Sequence, residues 1–283
     1  MRKIEIQLNE EPLLPGGKVE GYVLVTCDDD FQCERLYVSL IGEEKSEIVI
    51  HTGKVTIVYR EDREHINVVT EFAESAMIPM GESRYEFSFT LPSDIPGSYK
   101  GSYGLIKYTL EAQAEISWAR DLKFKIEPSV GFKQNLDLES TPQPKSGFVD
   151  DEGTTILKVE TGKDPVSLGD NVDFRFLVDR DTKMRGVRAE LLRLEHVEPK
   201  GHTADSKKTL AESYFSDEEI RRDSWIESSI PTDLTWTESF TTELIDYSHI
   251  LKITIDVARR RDKAIEIPIR LDPASSHRSD FDF

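Results

Sequence analysis

Hydropathy alternates with a period of two along most of this chain, and that constrains the fold more than any other feature. Tyr85, Phe87, Phe89 and Leu91 are interleaved with Arg84, Glu86, Ser88 and Thr90, and Ile106, Tyr108, Leu110, Ala112, Ala114, Ile116 and Trp118 follow with the same spacing. Successive side chains of a strand point to opposite faces, so the pattern describes strands with one face on a core and one in water. The later part repeats it in Val172, Phe174, Phe176 and Val178, in Leu251, Ile253, Ile255 and Val257, and in Ile265, Ile267 and Ile269. Pro268 interrupts the last run; proline cannot donate to a ladder, which predicts a sheet edge or a bulge there. Only SDEEIRR from Ser216 opens like a helix, with Glu219 three residues on to complete a capping box, and its length predicts a short surface turn. The fold class is therefore all-β, with antiparallel sheets and little helix.

A chain of 283 residues is long for a single hydrophobic core. ESTPQPKSG from Glu139, with two prolines among small polar residues, reads as a linker that joins no ladder. The expected division is a sandwich over 1–140, a linker over 141–149, a second sandwich over 150–272 and a tail over 273–283. The two parts also answer each other. LPGGKVEGYVLV from Leu14 corresponds to SLGDNVDFRFLV from Ser167, a shift of 153 that carries Val19 onto Val172. ERLYVSLIGEE from Glu34 corresponds to RGVRAELLRLE from Arg185, TLPSDIPGS from Thr90 to SIPTDLTWTES from Ser229, and GLIKYTLEA from Gly104 to SHILKITIDV from Ser248. A shared order with drifting spacing is what two similar sandwiches with unequal surface loops produce.

These segments resemble the arrestin-like superfamily: the α-arrestins and other arrestin-domain proteins, the arrestin-like subunit of the retromer coat and the bacterial sporulation-control proteins. The main carrier is YEFSFTLPSDIPGSYKGSYGLIKYTLEAQ from Tyr85, with an aromatic strand, Leu-Pro, Ser-Tyr-x-Gly and a tyrosine-centred strand; the second half has no Ser-Tyr-x-Gly element. The resemblance implies two tandem immunoglobulin-like, arrestin-type sandwiches. It also implies a non-enzymatic adaptor or scaffold that binds other proteins or peptides in intracellular sorting or signalling. A retromer-type coat subunit is a sibling reading, and a sandwich enzyme or carbohydrate-binding module is the rival from a different class. Sandwich edges bind extended peptides by adding a strand. In receptor-binding arrestins a lysine pair near the first strand contacts phosphate, which makes Arg2 and Lys3, just ahead of IEIQL, candidate partner-binding residues. The Pro-Pro-x-Tyr motif by which many α-arrestins recruit ubiquitin ligases does not occur.

Charge narrows the partners. A formal net charge of −18, with 15 basic against 25 acidic residues in 1–140 and 21 against 29 beyond, repels nucleic-acid phosphates and anionic membrane leaflets. The expectation is no nucleic acid, and a membrane reached only through partners; oligomeric state is left open. Two cysteines, Cys27 and Cys33, suit a reducing compartment, and MRKIEIQLNE has no apolar signal core, so the expected location is cytoplasmic.

No catalytic constellation emerges. TGK at Thr52 and at Thr161, and PGGK at Pro15, lack the lysine–hydroxyl pair of a phosphate loop and read as turns. Asp28, Asp29 and Asp30, and Asp150, Asp151 and Glu152, offer hard oxygens without the spacing of a calcium loop, so they read as acidic turns. His196 and His202 read as solvated loop histidines, and the ARRR run from Ala258 as a hairpin tip. No G-x-S-x-G elbow occurs. The expectation is no enzyme, no metal and no cofactor. The tail SSHRSDFDF from Ser275 ends in Phe281, Asp282 and Phe283, aromatic and acidic by turns, which are the second set of candidate partner-binding residues.

Overall fold

The computed structural model describes residues 2–133, 143–258 and 260–274, which are strand and loop with no α-helix and one 3-10 turn, Pro199–Gly201. The chain divides by its contacts into two units, Met1–Lys133 with Val197–Thr203, and Gln134–His196 with Ala204–Phe283.

The first unit contains β1 (Arg2–Leu8), β2 (Lys18–Cys27), β3 (Phe31–Thr52), β4 (Val55–Ile78), β5 (Gly81–Thr90), β6 (Tyr99–Lys100), β7 (Gly104–Ile116) and β8 (Leu122–Ile126). One antiparallel sheet has the order β1-β2-β5; the other has β4-β3-β7, with β6 and β8 both paired to β7. Period-two alternation becomes burial directly. Ile4, Ile6, Val19, Val23, Val25, Phe87 and Phe89 of the first sheet, and Leu36, Val38, Leu40, Tyr108, Leu110 and Ala112 of the second, are all buried. Each large side chain removed from water contributes about 1.5–3 kcal/mol, which holds the two sheets as a sandwich.

The second unit contains β9 (Ser146–Asp151), β10 (Thr154–Thr161), β11 (Val166–Ser167), β12 (Asn171–Val178), β13 (Met184–Val197) and β14 (Ala204–Ser216). It continues through β15 (Ile226–Pro231), β16 (Phe240–Thr241), β17 (Ile245–Val257), β18 (Lys263–Ile269) and β19 (Leu271–Asp272). Its sheets are β15-β12-β10-β9 and β14-β13-β17, with β16 and β18 paired to β17, plus a short parallel pair of β11 with β19. Leu157, Val159, Val172, Phe176, Leu191, Leu251 and Ile253 sit in one buried cluster.

The internal repeat holds at the level of register. Ile4 faces Val25 and Ile6 faces Val23 across β1 and β2; Leu157 faces Val178 and Val159 faces Phe176 across β10 and β12, every residue displaced by 153. The parallel bridge of Leu13 with Val130 likewise answers the parallel pairing of Val166 with Leu271. So β1 and β2 correspond to β10 and β12, and among the described residues β9 has no counterpart in the first unit.

That extra strand departs from the expectation that ESTPQPKSG joins no ladder, because Ser146 and Gly147 pair with Glu160 and Val159. The cause is the turn at Glu152 and Gly153, whose φ values of 51° and 85° give a tight hairpin and fold the segment ahead of it onto β10. Gly147 leaves room for β18 beside the new strand, since a Cβ there would lie 2.1 Å from Ile265 Cδ1. Pro268 stands where its missing donor predicts, on β18, whose ladder pairs with β17 alone among the described residues. SDEEIRR forms a turn: the Ser216 amide and hydroxyl both donate to Glu219 Oε2 at 2.7 Å, while the Glu219 amide donates to the Ser216 carbonyl and not to its hydroxyl, so only half of the capping box forms and no helix follows. His196 is not in a loop; it lies in β13 with Nδ1 2.6 Å from Asp205 Oδ1.

Candidate functional site

In the first unit β1 is the end strand of its sheet, and β8 is the end strand of the other along much of β7. Between them lies a cleft of about 650 Å³, lined by Arg2, Lys3 and Ile4 on one side and by Arg120, Asp121, Leu122, Lys123 and Phe124 on the other. β1 reaches this position because Ile4 and Ile6 bury inward against β2, which leaves the outer backbone edge of β1 facing the cleft. An unpaired edge presents a row of N–H and C=O groups ready to take another strand.

The charged groups of the cleft differ in how far they are engaged. Arg2 Nη2 lies 2.8 Å from Asp29 Oδ2, its guanidinium sits 4.7 Å from the centre of the Phe31 ring, and this hydrogen bond holds the Asp29 carboxyl below its ordinary pKa. Lys3 Nζ lies 2.6 Å from Glu5 Oε1. Asp121 is turned into the β7–β8 connection, where its oxygens accept the Ile116 amide at 3.2 Å and Gln113 Nε2 at 3.0 Å. Arg120 and Lys123 have no carboxylate partner among the described residues. Among the described residues the cleft thus carries two cations without a carboxylate partner and two more held by Asp29 and Glu5.

The second unit supplies the comparison. The edge of β10 corresponding to the open edge of β1 is filled by β9, antiparallel, with Val149 facing Leu157 and Asp150 facing Thr155. Val149 is the buried anchor. The acidic end of β9 is met by cations from the β17–β18 connection and the start of β18: Arg260 Nη1 lies 2.9 Å and Lys263 Nζ 2.7 Å from Asp151 carboxylate oxygens. Lys263, followed by Arg260, depresses the Asp151 pKa. Carried over by the β7–β8 and β17–β18 registers, the places of Arg260 and Lys263 fall on Ala119 and Leu122; the cations of the first unit, Arg120 and Lys123, stand one residue further on, beside a β1 edge that no described strand pairs.

Of the residues singled out from sequence, Arg2 and Lys3 therefore line the cleft, and they are not free ends. Phe281, Asp282 and Phe283 lie outside the described residues. Arg120 and Lys123 escaped the sequence reading; the signal for them was ARDLKFK, a concentration of cations in a strongly acidic chain. The acidic turns hold no cluster: Asp29 pairs with Arg2, Asp30 accepts the Met80 amide at 2.6 Å, and no group of three or more metal-ligating side chains gathers among the described residues. Cys27 and Cys33 are buried free thiols, Cys27 donating to the Pro79 carbonyl at 3.1 Å and Cys33 raised in pKa by burial. Gly53 (φ 60°) makes the β3–β4 turn and Gly16 (φ 79°) the turn before β2, conformations that account for the glycines of TGK at Thr52 and of PGGK.

Residues 3–133 match the family model for the N-terminal domain of arrestin (or S-antigen), and residues 151–274 match that for its C-terminal domain. Over 142 residues the chain is 25% identical to arrestin domain-containing protein 17 of Caenorhabditis elegans, an alignment that covers 42% of this chain and 32% of that protein. With both domain models matched in order and two sandwiches in register with each other, this chain belongs to the arrestin family.

Proposed function

We propose that this protein is an adaptor that takes up an extended, acidic segment of a partner protein by strand addition to β1, and so serves intracellular sorting or signalling. The observation that carries this reading is β9. At the matching edge of the second unit, the chain itself seats an antiparallel strand with an aliphatic anchor followed by two acids, held by a cation from a hairpin connection and one from the neighbouring strand. By the shift of 153, a ligand of the first unit places its aliphatic residue opposite Ile4 and its first acid opposite Arg2, within reach of Arg120 and Lys123. Main-chain hydrogen bonds supply affinity, and the apolar and acidic positions supply choice. The second unit has closed its own edge with a two-residue turn, so uptake belongs to the first.

The test uses a labelled peptide copying residues 145–151, titrated onto the full chain. Binding is expected to weaken with added salt, to fall about tenfold or more in Arg120→Glu combined with Lys123→Glu, and to slow hydrogen exchange of β1 amides. A peptide that binds without protecting β1, or that ignores the charge reversal, overturns the reading.

A further inference from the structure

Trp118 is the most exposed large apolar side chain among the described residues, at 105% of its reference area, and its backbone is left-handed, with φ 60°. Both properties are costly for a tryptophan. The left-handed region crowds a Cβ, and an indole is among the largest apolar surfaces a chain can leave in water. A glycine would satisfy the same turn with neither cost.

The turn is nevertheless built firmly. Ser117 Oγ donates to Glu34 Oε1, the Ala119 amide donates to the Ile116 carbonyl at 3.4 Å, and Asp121 holds the Ile116 amide and the Gln113 side chain. Residues on both sides of Trp118 are thus fixed to β3 and β7, and the ring is held outward. A strained, exposed aromatic on a rigid support is the arrangement of a contact residue whose partner is another molecule.

Its position says which partner. Trp118 lies in the β7–β8 connection, two residues before Arg120, which lines the cleft together with Arg2. A strand that copies the direction of β9 runs antiparallel to β1 and leaves the cleft past Arg2. In the second unit the chain turns back at that point through Glu152 and Gly153. A separate ligand has no such turn, so its chain beyond Arg2 is free to run on past Arg120.

We propose that Trp118 is a specificity residue of the β1 cleft, packing against an aromatic side chain that follows the acidic positions of the bound segment. This rests on the strand-addition reading. It narrows the ligand class to extended segments with an aliphatic residue, an acidic pair and then an aromatic.

The experiment uses the full chain and a peptide series copying residues 145–151, extended so that a phenylalanine stands one to four positions beyond the acidic pair, each with an alanine counterpart. At one spacing the phenylalanine peptide is expected to bind about tenfold more tightly than its counterpart, as a well-seated aromatic anchor does. Trp118→Gly, which suits the left-handed backbone and leaves the fold in place, is expected to abolish that preference while leaving the affinity of the alanine peptide unchanged. Trp118→Phe is expected to retain most of it. If phenylalanine and alanine peptides bind equally at every spacing, or if the preference survives in Trp118→Gly, Trp118 is not a specificity residue, and strand addition still stands. If no peptide of either series binds, strand addition itself fails and takes this proposal with it.

Discussion

Gly21 is where β2 meets β1 too closely for any side chain: a Cβ there would stand 2.2 Å from the Gln7 carbonyl oxygen and 2.9 Å from Phe87 Cζ. The oxygen belongs to a ladder and cannot move aside cheaply. Gly21→Ala is therefore expected to destabilise the first unit by about 1–3 kcal/mol, read from denaturant unfolding; unchanged stability would mean that β1 can shift without loss. A second residue sets a pH dependence. His249 on β17 is fully buried, with Nδ1 2.9 Å from Ser239 Oγ and Nε2 without a hydrogen-bond partner, and burial lowers its pKa from 6.5 to about 4. The folded state keeps this imidazole neutral while the unfolded chain takes up a proton below about pH 6.5. Its stability contribution is thus complete above that pH and is lost as pH falls towards 4. Between pH 7 and pH 5 the loss comes to about 2 kcal/mol. Unfolding free energies of the wild type and His249→Phe at both pH values check this, and equal slopes would refute it. Buried polar residues of this kind are hard to foresee: Glu44 and Glu195, at matched places of the repeat in ERLYVSLIGEE and RGVRAELLRLE, are both fully buried, and Glu44 lies 3.0 Å from His65. Alternation marks an inward position but does not say that a carboxylate there will find a partner across the sheet.

At the scale of elements, β3 and β4 form a hairpin that outruns its sheet. β7 accompanies β3 only as far as the pairing of Ser46 with Gly104, whereas β3 and β4 continue pairing to Thr52 and Val55. Beyond β7 the ribbon has two strands, and Val49, Ile50, Val55, Ile57 and Val58 are exposed on it. Its base is covered, by buried Ile48 and by Tyr59 stacked on His202, and the remainder of a two-stranded ribbon is marginal in water. Amides of residues 48–58 are accordingly expected to exchange at least about a hundredfold faster than those of residues 36–42, measured by hydrogen exchange with mass spectrometry. Equal protection would show that a partner or a second copy covers the arm. The same scale explains what was and was not legible in the strands. Period two located β5, β7, β12, β17 and β18 because each buries one face; β9 has a single buried residue, Val149, so its only strong signal was the Glu-Gly turn that follows it. The turn chemistry outweighed the prolines just ahead of it.

For the whole molecule, the remaining candidate partner-binding residues are those of the tail, Phe281, Asp282 and Phe283. The tail from Ser275 lies outside the described residues; burying a phenylalanine contributes about 1.5–3 kcal/mol while ordering each residue that carries it costs about 1–2 kcal/mol, which leaves binding by such a segment near balance. Deleting residues 275–283 is expected to leave the melting temperature unchanged and to alter partner or peptide binding. A truncated chain that melts several degrees lower and binds the same partners equally well would make the tail structural.

Sequence alone determined that this chain is all-β, that it is built twice, and that Val19 answers Val172, because side-chain alternation and turn residues are local properties that a strand cannot disguise. The tertiary structure decided which edges are open. Whether β1 ends its sheet and whether β9, with its one buried side chain, fills the equivalent edge depend on which strands pair, and whether Arg2, Arg120 and Lys123 share one cleft depends on the meeting of segments more than a hundred residues apart. Strand pairing is a hydrogen-bonding relation between backbones, and backbones are the same for every sequence; the side chains say that a segment is a strand, and only the packed sheets say which of its neighbours is missing.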